Sequence, residues 1–357
     1  MKLKRSKENL IYKIAFVGFI GGFAVLFNQC TNKSVGETEK LAQKPETSED
    51  LKEDKALKEK AEIYFASISS LPKQEFPEEK IELGEKLFMD TRLSKDGNIS
   101  CNSCHNLKTY GVDNLPLSPG DTDELGARNS PTVFYAHLHG MQFWDGRAKD
   151  VEEQAGGPIL NPVEHNIPSE EFLEERIRGI EEYQEMFANV YPDSAQPITF
   201  ETITKAIGAF ERQLTPLSRF DKWLDGENDA LNSQEKDGLT AFIDKQCITC
   251  HNGPAFGGNM LQKFGINGDY WELTKSEIID HGLFDLTQEE RDRYKFKTPG
   301  LRNVEMTFPY FHDGSVEKLE DAVRIMGQLQ INEELTDQEV KDITAFLKSL
   351  TALPENE

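Results

Sequence analysis

The sequence predicts a mainly α-helical fold of two similar modules in tandem, with long loops and little β structure. Three observations predict it. The run Cys101-Asn102-Ser103-Cys104-His105 returns as Cys247-Ile248-Thr249-Cys250-His251. Each copy follows a stretch with apolar residues at helical spacing, and further helical stretches lie between the copies and after the second. Glycine and proline are frequent, at 26 and 16 residues, which places irregular chain between the helices.

A Cys-x-x-Cys-His run is the attachment signature of a c-type haem. The two thiols form thioethers to the haem vinyl groups, and the histidine becomes an axial ligand of the iron. Cys101, Cys104, Cys247 and Cys250 are therefore candidate attachment points, with His105 and His251 as iron ligands. They account for four of the five cysteines. Disulfide pairing between the runs or one shared zinc site would also use the thiols. Both alternatives leave the adjacent histidines without a role. The modules are accordingly expected to be cytochrome c-like. The coordination position opposite each histidine decides between electron transfer and chemistry.

The 357 residues suffice for two such domains and an N-terminal extension. A net charge of −23 argues against nucleic acid as partner, since phosphates would be repelled. It suits long-range steering of basic or dipolar partners. Lys2, Lys4, Arg5, Lys7 and Lys13 precede an apolar run from Ile14 to Phe27, the pattern of an export signal over residues 1–30. The run ends in Leu26-Phe27-Asn28-Gln29-Cys30, which resembles a lipoprotein cleavage site with Cys30 as the lipid-bearing residue. An uncleaved N-terminal anchor is the other reading. Both place the protein on the periplasmic side of a bacterial membrane, where c-type haem is attached. Residues from Thr31 to about Lys60 are charged and poor in large apolar groups, so 31–74 is expected to form a flexible tether, with a turn to helix toward Tyr64 as the alternative.

The first domain is placed at residues 75–220. Pro77-Glu78-Glu79 opens its first helix, with acids beside the positive dipole end. Ile81, Leu87 and Phe88 form the apolar face, and Gly84 suits close helix packing. A glycine- and proline-rich segment from Tyr110 to Gly120 follows the first run and must wrap the haem. Trp144 reads on its own as core, and Glu164 as a loop acid. His137 and His139 read as packing or surface residues. Ser169 to about Val190 is expected as one helix and Thr199 to Leu214 as a second, ended by Pro216.

The second domain is placed at residues 221–357. Asn232-Ser233-Gln234-Glu235 reads as a capping box ahead of Leu239, Phe242 and Ile243. Arg302-Asn303 followed by Phe311-His312-Asp313-Gly314 echoes Arg128-Asn129 followed by Phe143-Trp144-Asp145-Gly146, the mark of a divergent duplication. Met260 and Met326 are candidate sixth ligands, since a thioether stabilises Fe(II) and raises the potential. Thr336-Asp337-Gln338-Glu339 caps a last helix with Val340, Ile343, Leu347 and Leu350 on one stripe.

The chain from about Glu75 onward resembles the bacterial dihaem cytochrome c peroxidase family, a family that also contains tryptophylquinone-maturing dihaem enzymes. The resemblance rests on Gly84 to Phe88, Leu93-Ser94, Ser100 to His105, Arg128-Asn129-Ser130-Pro131-Thr132, Phe143-Trp144-Asp145-Gly146-Arg147 and Asn161-Pro162-Val163-Glu164. It implies that the first haem reduces hydrogen peroxide and the second transfers electrons. Glu164 then matches the acid that moves protons between the peroxide oxygens, Gln154 a polar neighbour, and Trp144 an electron relay between the haems. Met326 matches the sixth ligand of the second haem, where the quinone-maturing branch has tyrosine. Asn129, Thr307 and Pro309 match the ligands of a Ca²⁺ between the domains. Many members carry a histidine after Ser-x-Gly that caps the first iron at rest. Here Asp121 stands at that place in Ser118-Pro119-Gly120-Asp121, so the first iron is expected to be open or water-bound at rest.

The resemblance implies a peroxidase fed by a small soluble cytochrome c or cupredoxin, and a homodimer. Two other functions remain in view. One is a peroxide-driven oxidase of a partner protein. The other is a dihaem electron-transfer protein without catalysis, with both irons six-coordinate.

Overall fold

The computed structural model describes residues 48–354. The expected export signal, Cys30 and residues 31–47 of the tether lie outside the described residues. Among the described residues, no helix is long and apolar enough to cross a membrane.

The regular structure among the described residues is helical apart from two short strands, with long loops between the elements. In order come α1 (Ser48–Ala61), α2 (Glu78–Met89), α3 (Cys101–Cys104), α4 (Val151–Leu160), α5 (Glu170–Arg178), α6 (Glu181–Val190), α7 (Phe200–Glu211), α8 (Arg219–Leu224) and α9 (Ser233–Asp244). They are followed by α10 (Tyr270–Thr274), α11 (Phe284–Thr287), α12 (Leu319–Ile331) and α13 (Asp337–Lys348). Strands β1 (Leu261–Lys263) and β2 (Lys295–Lys297) pair antiparallel, with Gln262 opposite Phe296.

Each run is framed by a crossed pair of helices. Leu83, Leu87 and Phe88 of α2 meet Ile203, Ile207 and Phe210 of α7 in one core. Leu239, Phe242 and Ile243 of α9 meet Ile343, Phe346 and Leu347 of α13 in another. Each such side chain contributes about 1.5–3 kcal/mol by leaving water. A glycine sits at each crossing. A Cβ on Gly84 would lie 2.0 Å from the Ala206 carbonyl oxygen, and one on Gly238 would lie 1.8 Å from that of Asp342. Only a residue without a side chain lets the backbones meet there.

The stretch expected as a single helix over 169–190 is two helices, broken at Gly179-Ile180, so that α5 and α6 turn separate faces to the first core. The capping boxes at Asn232 and Thr336 form as the sequence suggests. The tether expectation fails over residues 48–74. There α1 and the chain after it pack on the second core, with Ala61 fully buried and Phe65 stacked on Phe256 at 4.1 Å. Asp54 is the hidden anchor: it accepts from Trp223 Nε1 at 3.0 Å and pairs with Lys236 at 2.5 Å. Charge on the outer face of α1 concealed these few inward contacts.

The duplication runs in a different register from the one the Arg-Asn echo suggests. The bridge Gln142–Ala148 has its counterpart in Tyr310–Val316. The left-handed residues Tyr135 and Phe143 have theirs in Asn303 and Phe311. Tyr135 N–H bonds the Leu214 carbonyl beyond α7, and Asn303 N–H bonds that of Leu350 beyond α13. This register places Trp144 opposite His312 and Pro131 opposite Pro299. Arg302-Asn303 therefore answers Phe134-Tyr135, and its likeness to Arg128-Asn129 is a coincidence of composition.

Candidate haem centres

In the first module the run itself makes the short helix α3. Ser100 caps it, and Ser103 returns the bond to the Ser100 N–H at 2.9 Å. All four thiols are free and partly buried. Burial pushes the Cys101 thiol up, and Cys104 and Cys247 each up to about 11. His251 Nδ1 lies 3.1 Å from the Phe256 carbonyl. A carbonyl only accepts, so Nδ1 carries the proton and Nε2 keeps its lone pair, the tautomer a metal ligand needs. His105 Nδ1 is buried without a hydrogen-bond partner. Burial lowers the proton affinity of both rings and so favours the neutral, ligating form.

A cavity of about 360 Å³ opens over the second run. Cys247, Cys250 and His251 line it together with Met326 of α12, and Phe242, Phe264, Leu319 and Val323 make it apolar. Two thiols, a neutral imidazole and a thioether around one apolar space fit a covalently held haem. Met260 is 36% exposed and is not among the lining residues. Bound haem supplies an iron that exchanges electrons and offers an axial position.

Beside the first run, the 161–164 turn holds Glu164. It follows α4, whose end Asn161 caps, and Asn161 Nδ2 donates to Glu164 Oε1 at 2.7 Å. Burial raises the carboxyl above its ordinary range, opposed by Asn161 and by the Arg147 charge. The Glu164 charge reaches Cys104 and helps to raise that thiol, after burial and the charge of Asp113. Gln154 stands on α4 about two turns earlier. It is half-buried and makes no side-chain hydrogen bond among the described residues.

Asp121 is turned away from any ligand role. Its Oδ2 accepts from the Asp96 N–H at 2.8 Å and its Oδ1 from the Asn98 N–H at 3.3 Å. Burial alone would raise this carboxyl. The Asp96 amide, the Ser94 hydroxyl and the Asn98 amide outweigh that and hold it below the usual range. Its own N–H donates to the Glu164 carbonyl at 2.8 Å, which fastens the two loops together. His139 faces Lys297 instead of a run, with Nδ1 3.2 Å from the amine.

Trp144 sits where the halves meet. It lines the second cavity, its indole N–H donates to the Asn129 carbonyl at 2.8 Å, and its ring lies 6.3 Å from that of His312. A second, smaller cavity of about 90 Å³ is lined by Asn129, Thr307 and Pro309 together with Trp144. Asn129 Nδ2 donates to the Leu115 carbonyl at 2.9 Å. The Met306 and Phe308 carbonyls accept from Asn114, whereas those of Thr307 and Pro309 accept no hydrogen bond among the described residues. Oxygen donors of this kind suit Ca²⁺. Sequence reasoning passes over Lys297 and His165, which belong to no spaced motif. For His312 the available signal was its place in the second Phe-x-Asp-Gly.

The family described as Di-haem cytochrome c peroxidase matches residues 78–229. The cytochrome c551 peroxidase of Nitrosomonas europaea is 48% identical over 76% of this chain and 79% of that protein. The cytochrome c551 peroxidase of Pseudomonas aeruginosa is 44% identical over 83% of this chain and 86% of that protein. Among solved structures, a MauG-like protein associated with microbial copper homeostasis is 31% identical, with TM-score 0.70 over 79% of this chain and 93% of that one. The repeated haem-attachment run, the paired helices around each copy and these identities lead to one conclusion: the chain belongs to the di-haem cytochrome c peroxidase family.

Proposed function

We propose that the protein reduces hydrogen peroxide to water with electrons from a small soluble cytochrome c or cupredoxin, on the periplasmic side of a bacterial membrane. Cys101 and Cys104 hold one haem with His105 as ligand. Cys247 and Cys250 hold the other with His251 and Met326. The second haem takes electrons one at a time, and Trp144 lies on the route to the first. Calcium bound by Asn129, Thr307 and Pro309 fixes the seam that Trp144 crosses. Residues 75–220 and 221–357 form the two haem domains. An N-terminal anchor, by lipid at Cys30 or by an uncleaved segment, and a homodimer complete the proposal.

The observation that carries the reaction is the half-buried Glu164, whose charge reaches Cys104 of the first run. Reduction of an O–O bond requires a proton at the departing oxygen, and burial biases the Glu164 carboxyl toward the form that carries one. The rival oxidase reading draws on relatives named Methylamine utilization protein MauG, 31% and 32% identical to this chain. Met326 at the second cavity, where that branch has tyrosine, supports the peroxidase. Steady-state peroxide consumption with reduced cytochrome c as the only donor tests the choice. Sustained turnover is expected; consumption only when an oxidisable protein partner is added would favour the rival.

A further inference from the structure

Among the described residues that line the cavity over the second run, Lys297 is the only lysine, arginine, aspartate or glutamate. It also lines the smaller cavity at the seam, as Trp144 does, so both belong to the wall between the two spaces. Only 4% of Lys297 is exposed. Its main chain is fixed on both sides: it pairs with Leu261 across the two strands, and its N–H donates to the Trp144 carbonyl at 2.6 Å.

The protein does not complete the surroundings of this ammonium. Its Nζ donates to His139 Nδ1 at 3.2 Å, and it makes no other side-chain hydrogen bond and no ion pair among the described residues. An ammonium has three N–H donors, and an imidazole that accepts at Nδ1 is neutral, so no counter-charge is supplied. The charge of Asp145 reaches Lys297, but that carboxylate is already held by Arg128 and Arg147. Arg302, the other strong cation on the seam cavity, is paired with Asp221. The position of His139 is itself built in. A Cβ on Gly258 would lie 2.2 Å from His139 Cδ2 and one on Gly300 2.7 Å from His139 Nε2, so two bare backbones make room for the ring. Burial lowers the Lys297 amine to about 8, which still leaves the charged form in excess at neutral pH. A buried charge without a counter-ion is costly, and it is retained where an occupant of the site supplies one. Haem carries two propionate carboxylates, and the walls of this cavity offer them a single cation.

Resting on the assignment of the second haem to Cys247 and Cys250, we propose that the Lys297 ammonium is the counter-ion of a propionate of that haem, steered to it by His139. The pair ties the edge of the haem to the wall that Trp144 shares. It also neutralises a negative charge near the iron. This favours Fe(II) and raises the potential, in the same direction as the Met326 thioether.

The test uses the full holoprotein with haem isotopically labelled at its propionate carboxyls, as wild type, Lys297→Met and Lys297→Arg. Methionine keeps much of the volume without the charge, and arginine keeps the charge. Redox difference infrared spectra follow the labelled carboxylates, and an optical titration gives the potentials. A labelled band is expected to respond to reduction of the second haem and to change position in Lys297→Met. The second haem of that variant should shift about 10-fold toward Fe(III), a fall of about 59 mV for a one-electron couple. Lys297→Arg should stay closer to the wild-type potential. Labelled bands that coincide in wild type and Lys297→Met overturn the proposal even if the potential falls, since a charge can act without touching the propionate. A band that responds only to the first haem overturns it too. Should Lys297→Met fail to assemble, Lys297→Arg decides: exchange of ammonium for guanidinium must still move the labelled band. The mass of the peptide over 247–250 separates the two readings. A wild type without haem there ends the haem assignment and this proposal with it, whereas a haem-bearing chain with unchanged bands ends this proposal alone.

Discussion

Glu164 and Asp121 are both loop carboxyls near the first run, and their surroundings send them opposite ways. Glu164 has one hydrogen bond against its burial and is raised. Asp121 accepts two backbone N–H groups and is lowered. Motif spacing located both residues and put Asn161 in the same run as Glu164, but Asp96 and Asn98, whose amides decide the charge of Asp121, belong to no pattern that links them to it. Removing the Asn161 bond with Asn161→Ala should raise the Glu164 pKa further, so the limb of the pH–rate profile set by Glu164 should move to higher pH. A shift to lower pH would contradict the assignment. A second residue-scale feature was not legible at all. Arg302 and Asp221 form a fully buried pair at 2.7 and 2.8 Å, to which Ser218 and the Ile68 N–H also donate. Burial would raise Asp221, but Arg302 and these donors hold it below the carboxylate range. Its stabilising effect is therefore complete above the unfolded value of about 3.9 and is lost as pH falls through the folded one. Arg302→Met should cost about 3–5 kcal/mol in urea unfolding at neutral pH by leaving Asp221 buried and alone.

At the scale of elements, the crossed helices were the most legible part of the fold. Their apolar stripes and capping boxes are local properties, and Gly84 announced its close contact. Gly238 did not, although it holds the tighter approach. Gly238→Ala should destabilise the α9–α13 crossing by about 1–3 kcal/mol and weaken haem retention at Cys247 and Cys250. Gly268→Ala, whose Cβ would meet only Leu329 at 3.7 Å, should stay within about 0.5 kcal/mol. Comparing urea midpoints and haem content of the two variants checks this. The tether was misread for a physical reason. A helix can be charged on most of its surface and still dock through Asp54, Ala61 and a following Phe65, and composition averages those three away.

Across the whole molecule, the repeat explains how one architecture holds two kinds of haem site. The same frame carries Trp144 in one copy and His312 in the other, and Met326 lines the second cavity. The halves are joined by Arg128, which binds Asp145 at 2.7 Å and Asp280 at 2.6 Å, and by the Asn129 N–H on the His312 carbonyl at 2.7 Å. These joints pass through long loops, whose course no periodicity predicts. The net charge of −23 belongs to this scale too. With a basic donor cytochrome, kcat/KM should fall at least about 10-fold from low to high salt, as the Debye length shrinks from about 30 Å at 0.01 M to about 3 Å at 1 M. A salt-independent rate would remove electrostatic steering from the account. The central claim is that peroxide is reduced at the first haem with Glu164 supplying protons. Rapid mixing of the fully reduced protein with one equivalent of hydrogen peroxide, followed optically in the wild type and in Glu164→Gln, tests it most directly. The account predicts that the wild type loses two electrons per peroxide, while Glu164→Gln keeps both haems and reacts at least about 100-fold more slowly. Equal rates in the two proteins would contradict it.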